Sequence, residues 1–320
     1  MAQKLNLVAD IGGTNSRFAL CEPGSLQLIE PQKHPNRNFT GLAEAIAYYL
    51  TGVNAKPANA CVAVAGPITG DTVRLTNIAW EFSIAEMARN FNLRQLHIAN
   101  DFTALAMSVP YEPENNIVQI GSGEAVPNQA MAVLGPGTGL GVSGLLWSGT
   151  GWVPIAGEGG NARFTPHDAK EAELLAFAWK KIGRIVRTED FVSGLGMTFL
   201  HSALLEISGK ELETLKAEDI NRRAVAGDAA CKETVRIFCG MLGAFASDVA
   251  MMLGARSGVY LGGGVTPQMR DLFETSPFRE RFEDKGRFTN YVKDIPTYML
   301  LSHSQAALHG AAAILKEKKL

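Results

Sequence analysis

Leu5-Asn6-Leu7-Val8-Ala9-Asp10-Ile11-Gly12-Gly13-Thr14-Asn15-Ser16-Arg17 is the stretch on which the fold reading turns. Leu5–Ala9 is an apolar run of strand length closed by Asp10, Gly12–Asn15 reads as a turn, and Arg17–Cys21 returns as a second strand. The pattern recurs further on. Ala130–Leu134 is an apolar strand, Gly135-Pro136-Gly137-Thr138-Gly139-Leu140-Gly141 a glycine-rich turn, and Val142–Trp147 a returning strand. A separation of about 125 residues is too long for a solenoid and suits two related α/β domains facing one another across a cleft.

Between and after these turns, strand-like and helix-like periods alternate. Leu26–Gln32 is a further strand candidate, and Gly41–Leu50 has helical spacing with Leu42, Ala45, Ile46 and Tyr49 on one face. Ala60–Ala65 reads as a buried strand closed by Gly66-Pro67. Ser83 and Glu86 form a capping box for a helix over Ile84–Phe91. Leu96–Ala99 is a short strand, and Phe102–Val109 a helix starting at Asp101. Pro110–Asn116 interrupts both periods and is the candidate linker. Beyond it come an amphipathic helix over Asp168–Ile182, capped by Asp168, and a long apolar helix over Asp228–Leu253. Val259–Leu261 is a strand ending in Gly262-Gly263-Gly264, and Ala306–Leu315 is an alanine-rich helix. Strands alternating with helices indicate a mixed or parallel α/β sheet.

Phosphate oxygens need several backbone N–H groups converging on one point, which glycine permits, and a Thr adds a hydroxyl donor. Asp10–Asn15 and Gly135–Gly141 both fit. Neither carries the lysine of a P-loop. A dinucleotide fingerprint also fails, because Leu140 or Val142 falls at its last glycine and a strand follows where a helix is required. Plain tight hairpins are the bland alternative for either turn alone. Asp10, beside such a cradle, suits water-mediated Mg²⁺, with an Asx-type turn cap as its alternative.

Asn100-Asp101 ends a buried strand and opens a helix. Asp101 is suited to accept the proton of an attacking hydroxyl, with Asn100 orienting the same substrate; an N-cap role for Asp101 is the competing explanation. Gly157-Glu158-Gly159-Gly160-Asn161 sets a carboxylate and an amide in a turn of small residues, suited to vicinal hydroxyls, or else forms a solvated loop.

Composition narrows the classes. With 320 residues, two domains is the default expectation. Thirty Lys and Arg against 32 Asp and Glu give a net charge of −2, so there is no broad footprint for nucleic acid or an anionic membrane. Cys21, Cys61, Cys231 and Cys239 show no CxxC and no metal-ligand spacing, as expected of reduced, buried thiols. Met1–Lys4 runs straight into a short apolar stretch, so no leader is expected, nor a membrane span, and the expected location is cytoplasmic.

Together these residues resemble the bacterial glucokinase family, the ATP-dependent branch of the hexokinase/actin-like ATPase superfamily. The motifs run in order along the whole chain: Asp10–Arg17, Gly66-Pro67-Ile68-Thr69-Gly70-Asp71, Asn100-Asp101-Phe102-Thr103-Ala104, Gly137–Val142, Gly157–Gly160 and Phe282-Glu283-Asp284-Lys285-Gly286-Arg287-Phe288. The resemblance implies two actin-like ATPase (ribonuclease H-like) α/β domains: a small one, 1–110 plus 303–320, and a large one, 111–302, closing on sugar. It implies transfer from ATP, with Mg²⁺, to the 6-hydroxyl of D-glucose, and a homodimer. By motif, Asp101 corresponds to the base, and Asn100, Glu158, Asn161 and Glu189 to sugar ligands. Asp10, Gly12, Gly13 and Thr14 correspond to one phosphate loop, Gly137, Thr138 and Gly139 to the second, and Gly263 to the adenosine region.

Asn161 is a departure, since the family pattern usually has His there. An amide still donates and accepts but cannot become cationic, which loosens the inference of strict glucose selectivity. Other readings are a kinase of another hexose or aminosugar, and a non-catalytic sugar sensor. A sensor is expected to carry a DNA-binding module ahead of the first strand, where about four residues precede it, and the zinc-binding relatives need a Cys cluster absent here.

Overall fold

The computed structural model describes residues 5–301 and 305–318. Met1–Lys4, on which the leader expectation partly rests, lie outside the described residues. So do 303, 304, 319 and 320 of the segment expected to complete the smaller domain.

In chain order the elements are β1 (Asn6–Ile11), β2 (Asn15–Cys21), β3 (Ile29–Pro35), α1 (Leu42–Gly52), β4 (Asn59–Val64), β5 (Thr72–Arg74), β6 (Glu81–Ser83), α2 (Ile84–Asn90), β7 (Gln95–Asn100) and α3 (Asp101–Ser108). Then follow β8 (Ile117–Ile120), β9 (Met131–Pro136), β10 (Leu140–Trp147), β11 (Trp152–Ala156), α4 (Ala169–Ile182), α5 (Gly194–Ile207), α6 (Ala217–Val225) and α7 (Ala229–Leu253). Last come β12 (Val259–Leu261), α8 (Arg270–Phe273), α9 (Phe278–Glu283), α10 (Thr289–Lys293), β13 (Thr297–Leu300) and α11 (Ala306–Glu317).

The chain divides into two compact units. The first holds the chain through Glu112, Trp147–Ala156 and α11; the second holds Pro113–Leu146 and Gly157–Leu301. The boundary falls within Pro110–Asn116, where Pro110 sits inside the 3-10 turn Val109–Tyr111 and Pro113 immediately precedes a second at Glu114–Asn116. Trp147–Ala156 packs with the first unit, through β11 on α3, whereas the expected division placed it in the larger domain.

The sheet of the first unit runs β3-β2-β1-β4-β7. β2 is antiparallel to β1, while β4 and β7 continue parallel to it. β1 and β4 are buried almost throughout, which explains why they read as unbroken apolar runs rather than alternations. Helix α1 presents Leu42, Ala45, Ile46 and Tyr49 to this sheet, with the Tyr49 ring stacked 5.3 Å from Phe18. Strand β3 starts at Ile29 and ends at Pro35, three residues later than the hydrophobicity of Leu26–Gln32 suggests. Its ladder with β2 carries an irregularity between Phe18 and Leu20, and Glu30 takes φ 49°, so apolar character does not mark where pairing begins.

The second sheet has six strands, in the order β11-β10-β9-β12-β13-β8. β9 and β10 are antiparallel, whereas β12 and β13 continue parallel to β9. That repeats β2-β1-β4-β7 strand for strand. Helix α4 begins where Asp168 Oδ1 accepts from Glu171 N at 2.8 Å and ends at Gly183, φ 71°. Helix α7 is long and apolar enough by length and composition to cross a membrane, but it carries Lys232, Glu233, Arg236 and Asp248, and 72% of its most apolar window is buried. It packs against α9, α6 and α5 as the core helix of this unit.

Candidate active site

Parallel strands bring their carboxyl ends to one edge, the place where open α/β sheets bind ligands. In the first unit Ile11 pairs with Val64, and Val64 with Asn100. The Gly12–Thr14 turn, the Gly66 turn and the start of α3 therefore leave the sheet side by side. Two strand spacings, about 10 Å, separate the glycine turn from Asp101.

The glycine turn is braced from beneath. Gly12 N donates to Asn15 O at 3.0 Å, so this amide is committed to the turn itself. Asn36, buried and unremarked in the sequence, donates from Nδ2 to Gly12 O at 2.7 Å and accepts from Ser16 Oγ at 2.7 Å, and its backbone N donates to Thr14 O at 2.9 Å. Thr14 is left exposed and Gly13 half-buried. A lone Asn beyond two intervening strands gives no sequence signal of this contact.

Asp10 sits opposite Arg17 in the β1–β2 ladder, and Arg17 Nη1 reaches Asp10 Oδ2 at 2.8 Å. Burial pushes the Asp10 carboxyl up, and the guanidinium opposes that shift. Among the described residues no cluster of three or more His, Cys, Asp or Glu forms a metal cage. Mg²⁺ does not need one, since it keeps several waters and is held by one or two carboxylates together with phosphates. Asp10, beside the braced turn, fits that role.

At α3 the duties divide differently from the sequence expectation. Asn100 is the N-cap: its Oδ1 accepts from Phe102 N at 2.9 Å and Thr103 N at 3.3 Å, and its Nδ2 donates to Gly66 O at 3.3 Å. Asp101 is the first helical residue, and its Oδ1 also accepts from Phe102 N at 2.9 Å. The competing N-cap explanation for Asp101 thus passes to its neighbour. Asp101 itself stands in the first turn of α3, at its N-terminal end.

The second unit builds its edge the same way, with Leu134 paired to Leu261 and Leu261 to Met299. The turn after β9 and the Gly262–Gly264 turn after β12 emerge together, joined by Gly262 N to Leu134 O at 2.7 Å and Val265 N to Pro136 O at 3.1 Å. Gly263 lies in this paired turn with φ 80°. Gly137 N is committed to Gly139 O at 2.8 Å, and Gly137 O accepts from Gly194 N, the first residue of α5, at 2.7 Å. Thr138 and Gly139 remain exposed. A strand leaves this turn, in agreement with the rejection of a dinucleotide fingerprint.

Glu158 and Asn161 are exposed; Glu158 is the N-cap and Asn161 the last residue of a 3-10 turn, and Asn161 N donates to Glu158 O at 3.0 Å. A side chain at Gly160 would collide with Leu140 O, so only glycine lets this loop lie against the strand leaving the Gly137–Gly139 turn. Glu189 lies in the 3-10 turn Thr188–Asp190; its Oε1 meets Arg187 Nη1 at 2.6 Å and its Oε2 accepts from Leu140 N at 3.4 Å. Arg187, which sequence reading passed over, also donates to Asn161 Oδ1 at 2.8 Å. A cavity of about 390 Å³ opens beside these groups, lined by Thr138, Gly139, Arg187, Glu189, Ser193 and Phe199 among others. The larger groove of the first unit, about 1010 Å³ and lined by Leu50, Lys56, Phe91 and Arg94 among others, gathers none of the candidate residues.

Comparison with known proteins follows this geometry. The family model described as Glucokinase matches residues 7–318. The chain is 40% identical over 315 residues to a protein named Glucokinase from Cronobacter sakazakii, covering 98% of both. It is 42% identical over 314 residues to one of the same name from Chromobacterium violaceum, covering 97% of this chain and 89% of that one. Among solved structures, a glucokinase from an Antarctic psychrotroph superposes with a TM-score of 0.89 at 36% identity, covering 98% of this chain and 99% of the other.

Proposed function

The chain belongs to the glucokinase family, and on that premise we infer that it is an ATP-dependent glucokinase, converting D-glucose and ATP to glucose 6-phosphate and ADP. The observation that carries the mechanism is the shared edge of the first sheet, where Asp101 opens α3 beside the braced Asp10–Asn15 turn. Phosphoryl transfer asks for alignment, a base near the nucleophile and donors around the developing charge.

Asp101 accepts the proton of the 6-hydroxyl as that oxygen attacks the γ-phosphorus in line with the departing ADP. Gly13, Thr14, Thr138 and Gly139 supply amide and hydroxyl donors to the phosphates, Gly12 and Gly137 close the turns that present them, and Gly263 serves the adenosine region. Asp10 is the side chain that would hold a Mg²⁺ accompanying ATP, and that ion would supply charge neutralisation at the phosphates. Asn100, Glu158, Asn161 and Glu189 bind the sugar hydroxyls. Asn100 does so while capping α3, so one side chain sets both the helix start and the substrate contact. The family resemblance supports a homodimer, which light scattering would report as twice the 34.3 kDa of one chain. Buried, unpaired cysteines support a cytoplasmic location.

Asp101→Asn is the direct test. It should lower kcat by about 10²–10⁴-fold, the range of a lost general base, while glucose binding persists. Turnover within a few-fold of the native chain would remove Asp101 from this role. A panel of hexoses and aminosugars ranked by kcat/KM should place glucose first.

A further inference from the structure

Arg187 joins three side chains of the second unit through one guanidinium. Its Nη1 donates to Asn161 Oδ1 at 2.8 Å and pairs with Glu189 Oε1 at 2.6 Å. Its other edge is fixed by Asp190, with Nη2 to Oδ1 at 2.8 Å and Nε to Oδ2 at 3.4 Å. Asp190 is held in turn by Arg184 at 2.8 and 2.9 Å and accepts from Arg187 N at 2.8 Å. The cation is therefore clamped on its structural side and presents one nitrogen to two groups at the candidate sugar site.

Polarity follows from chemistry. A guanidinium has donors only, so the Asn161 oxygen must face it and the amide NH₂ must face away. Asn161 is thereby set as a donor. Glu189, whose Oε1 meets the same guanidinium, is set as an acceptor. The two stand next to each other because both meet the same Nη1. A sugar hydroxyl donates once and accepts, so adjacent hydroxyls fit a fixed donor beside a fixed acceptor.

We propose that Arg187 is a positioning residue that determines sugar affinity and selectivity. It orients Asn161 as a donor and Glu189 as an acceptor, and it supplies from behind them the positive charge that Asn161 cannot carry. This rests on the assignment of Asn161 and Glu189 as sugar ligands. It goes beyond that assignment by making their pairing depend on a residue that itself need not touch the sugar.

The test is steady-state kinetics on Arg187→Gln, Arg187→Lys, Asn161→Ala, Glu189→Gln and the Arg187→Gln/Asn161→Ala pair, with Arg223→Ala, which breaks ion pairs to Glu213 and Asp228 away from these residues, as the control. Arg187→Gln should raise glucose KM by roughly tenfold or more, as expected for losing a charge-assisted hydrogen bond, with ATP KM unchanged and kcat falling much less. Arg187→Lys, which keeps the charge but not the fork, should fall between. In the pair, losing Asn161 should add little once Arg187 is gone. Discrimination between glucose and its epimers should narrow in Arg187→Gln and stay intact in Arg223→Ala.

Unchanged glucose KM in Arg187→Gln, additive effects in the pair, or an equal rise in ATP KM would each overturn the proposal. If Asn161→Ala and Glu189→Gln leave glucose KM unmoved, the ligand assignment itself falls, and the proposal with it. If those two raise glucose KM and Arg187→Gln does not, only the role of Arg187 falls.

Discussion

Glu233 accepts from Lys170 Nζ at 2.5 Å and from Arg236 Nε and Nη2 at 2.7 and 3.0 Å, tying the start of α4 to α7. Hydrogen bonds from Arg236 and then Lys170 outweigh desolvation and push its carboxyl down to about 2 from an ordinary 4.5. Asp10 has one guanidinium and deeper burial, and its shift runs the other way. For Glu233 the sign is that of a carboxylate ionised more easily when folded. Its contribution is full above the unfolded value and is lost as pH falls from 4.5 toward 2. Because the group is partly exposed, the pair is worth under about 1 kcal/mol, so Glu233→Gln should lower Tm at pH 7 by about 1–3 °C. The Tm gap between the two proteins should hold above pH 5 and close as pH approaches 2. A gap that widens on acidification would contradict this account. The Arg236 contact, three residues on in the same helix, is of a kind that sequence spacing records, whereas Lys170 reaches Glu233 only through tertiary packing.

Helices α3 and α11 pack so closely that a Cβ on Gly310 would collide with Ala104 O. On helix propensity alone, Gly310→Ala should stabilise α11 by about 1 kcal/mol. The collision is with backbone rather than with the end of a flexible side chain, and overpacking of that kind costs about 1–3 kcal/mol or more. We expect the clash to win, lowering Tm by several degrees. Ala104 lies one turn after Asp101, so displacing α3 should lower kcat as well. Gly310→Ala at native Tm and native kcat would sink the argument. At this scale the sequence was legible where local chemistry decides the outcome. The spacing of Leu42, Ala45, Ile46 and Tyr49, the Ser83 and Asp168 caps and the strand after Gly139 all have local causes. The hairpin β5–β6 and the start of β3 were not legible, since each is set by a partner strand.

The two units share one strand plan, in which a hairpin carries a glycine turn and two parallel strands extend it on one side. The chain showed this twice because each turn punctuates a buried apolar strand, whereas Asn36 and Arg187 act through contacts that no local pattern records. Each unit also has its own hydrophobic core and its own two cysteines. Cys21 and Cys61 lie on β2 and β4, and Cys231 and Cys239 on α7, all buried. Burial pushes the thiols up to about 11, 12, 11 and 12 in that order. A thiol must ionise to react, so at pH 8 these are poor nucleophiles even before access is considered. Native protein mixed with iodoacetamide should therefore take up almost no label, and fully unfolded chain should take up four. As urea is raised, mass spectrometry of the labelled peptides should show Cys21 and Cys61 reacting at one midpoint and Cys231 and Cys239 at one midpoint, because each pair reports a single cooperative core. Whether the two midpoints coincide measures how far the cores unfold together. A native cysteine that reacts as fast as a free thiol, or two members of one pair that part, would show that a unit is not the cooperative body its packing describes.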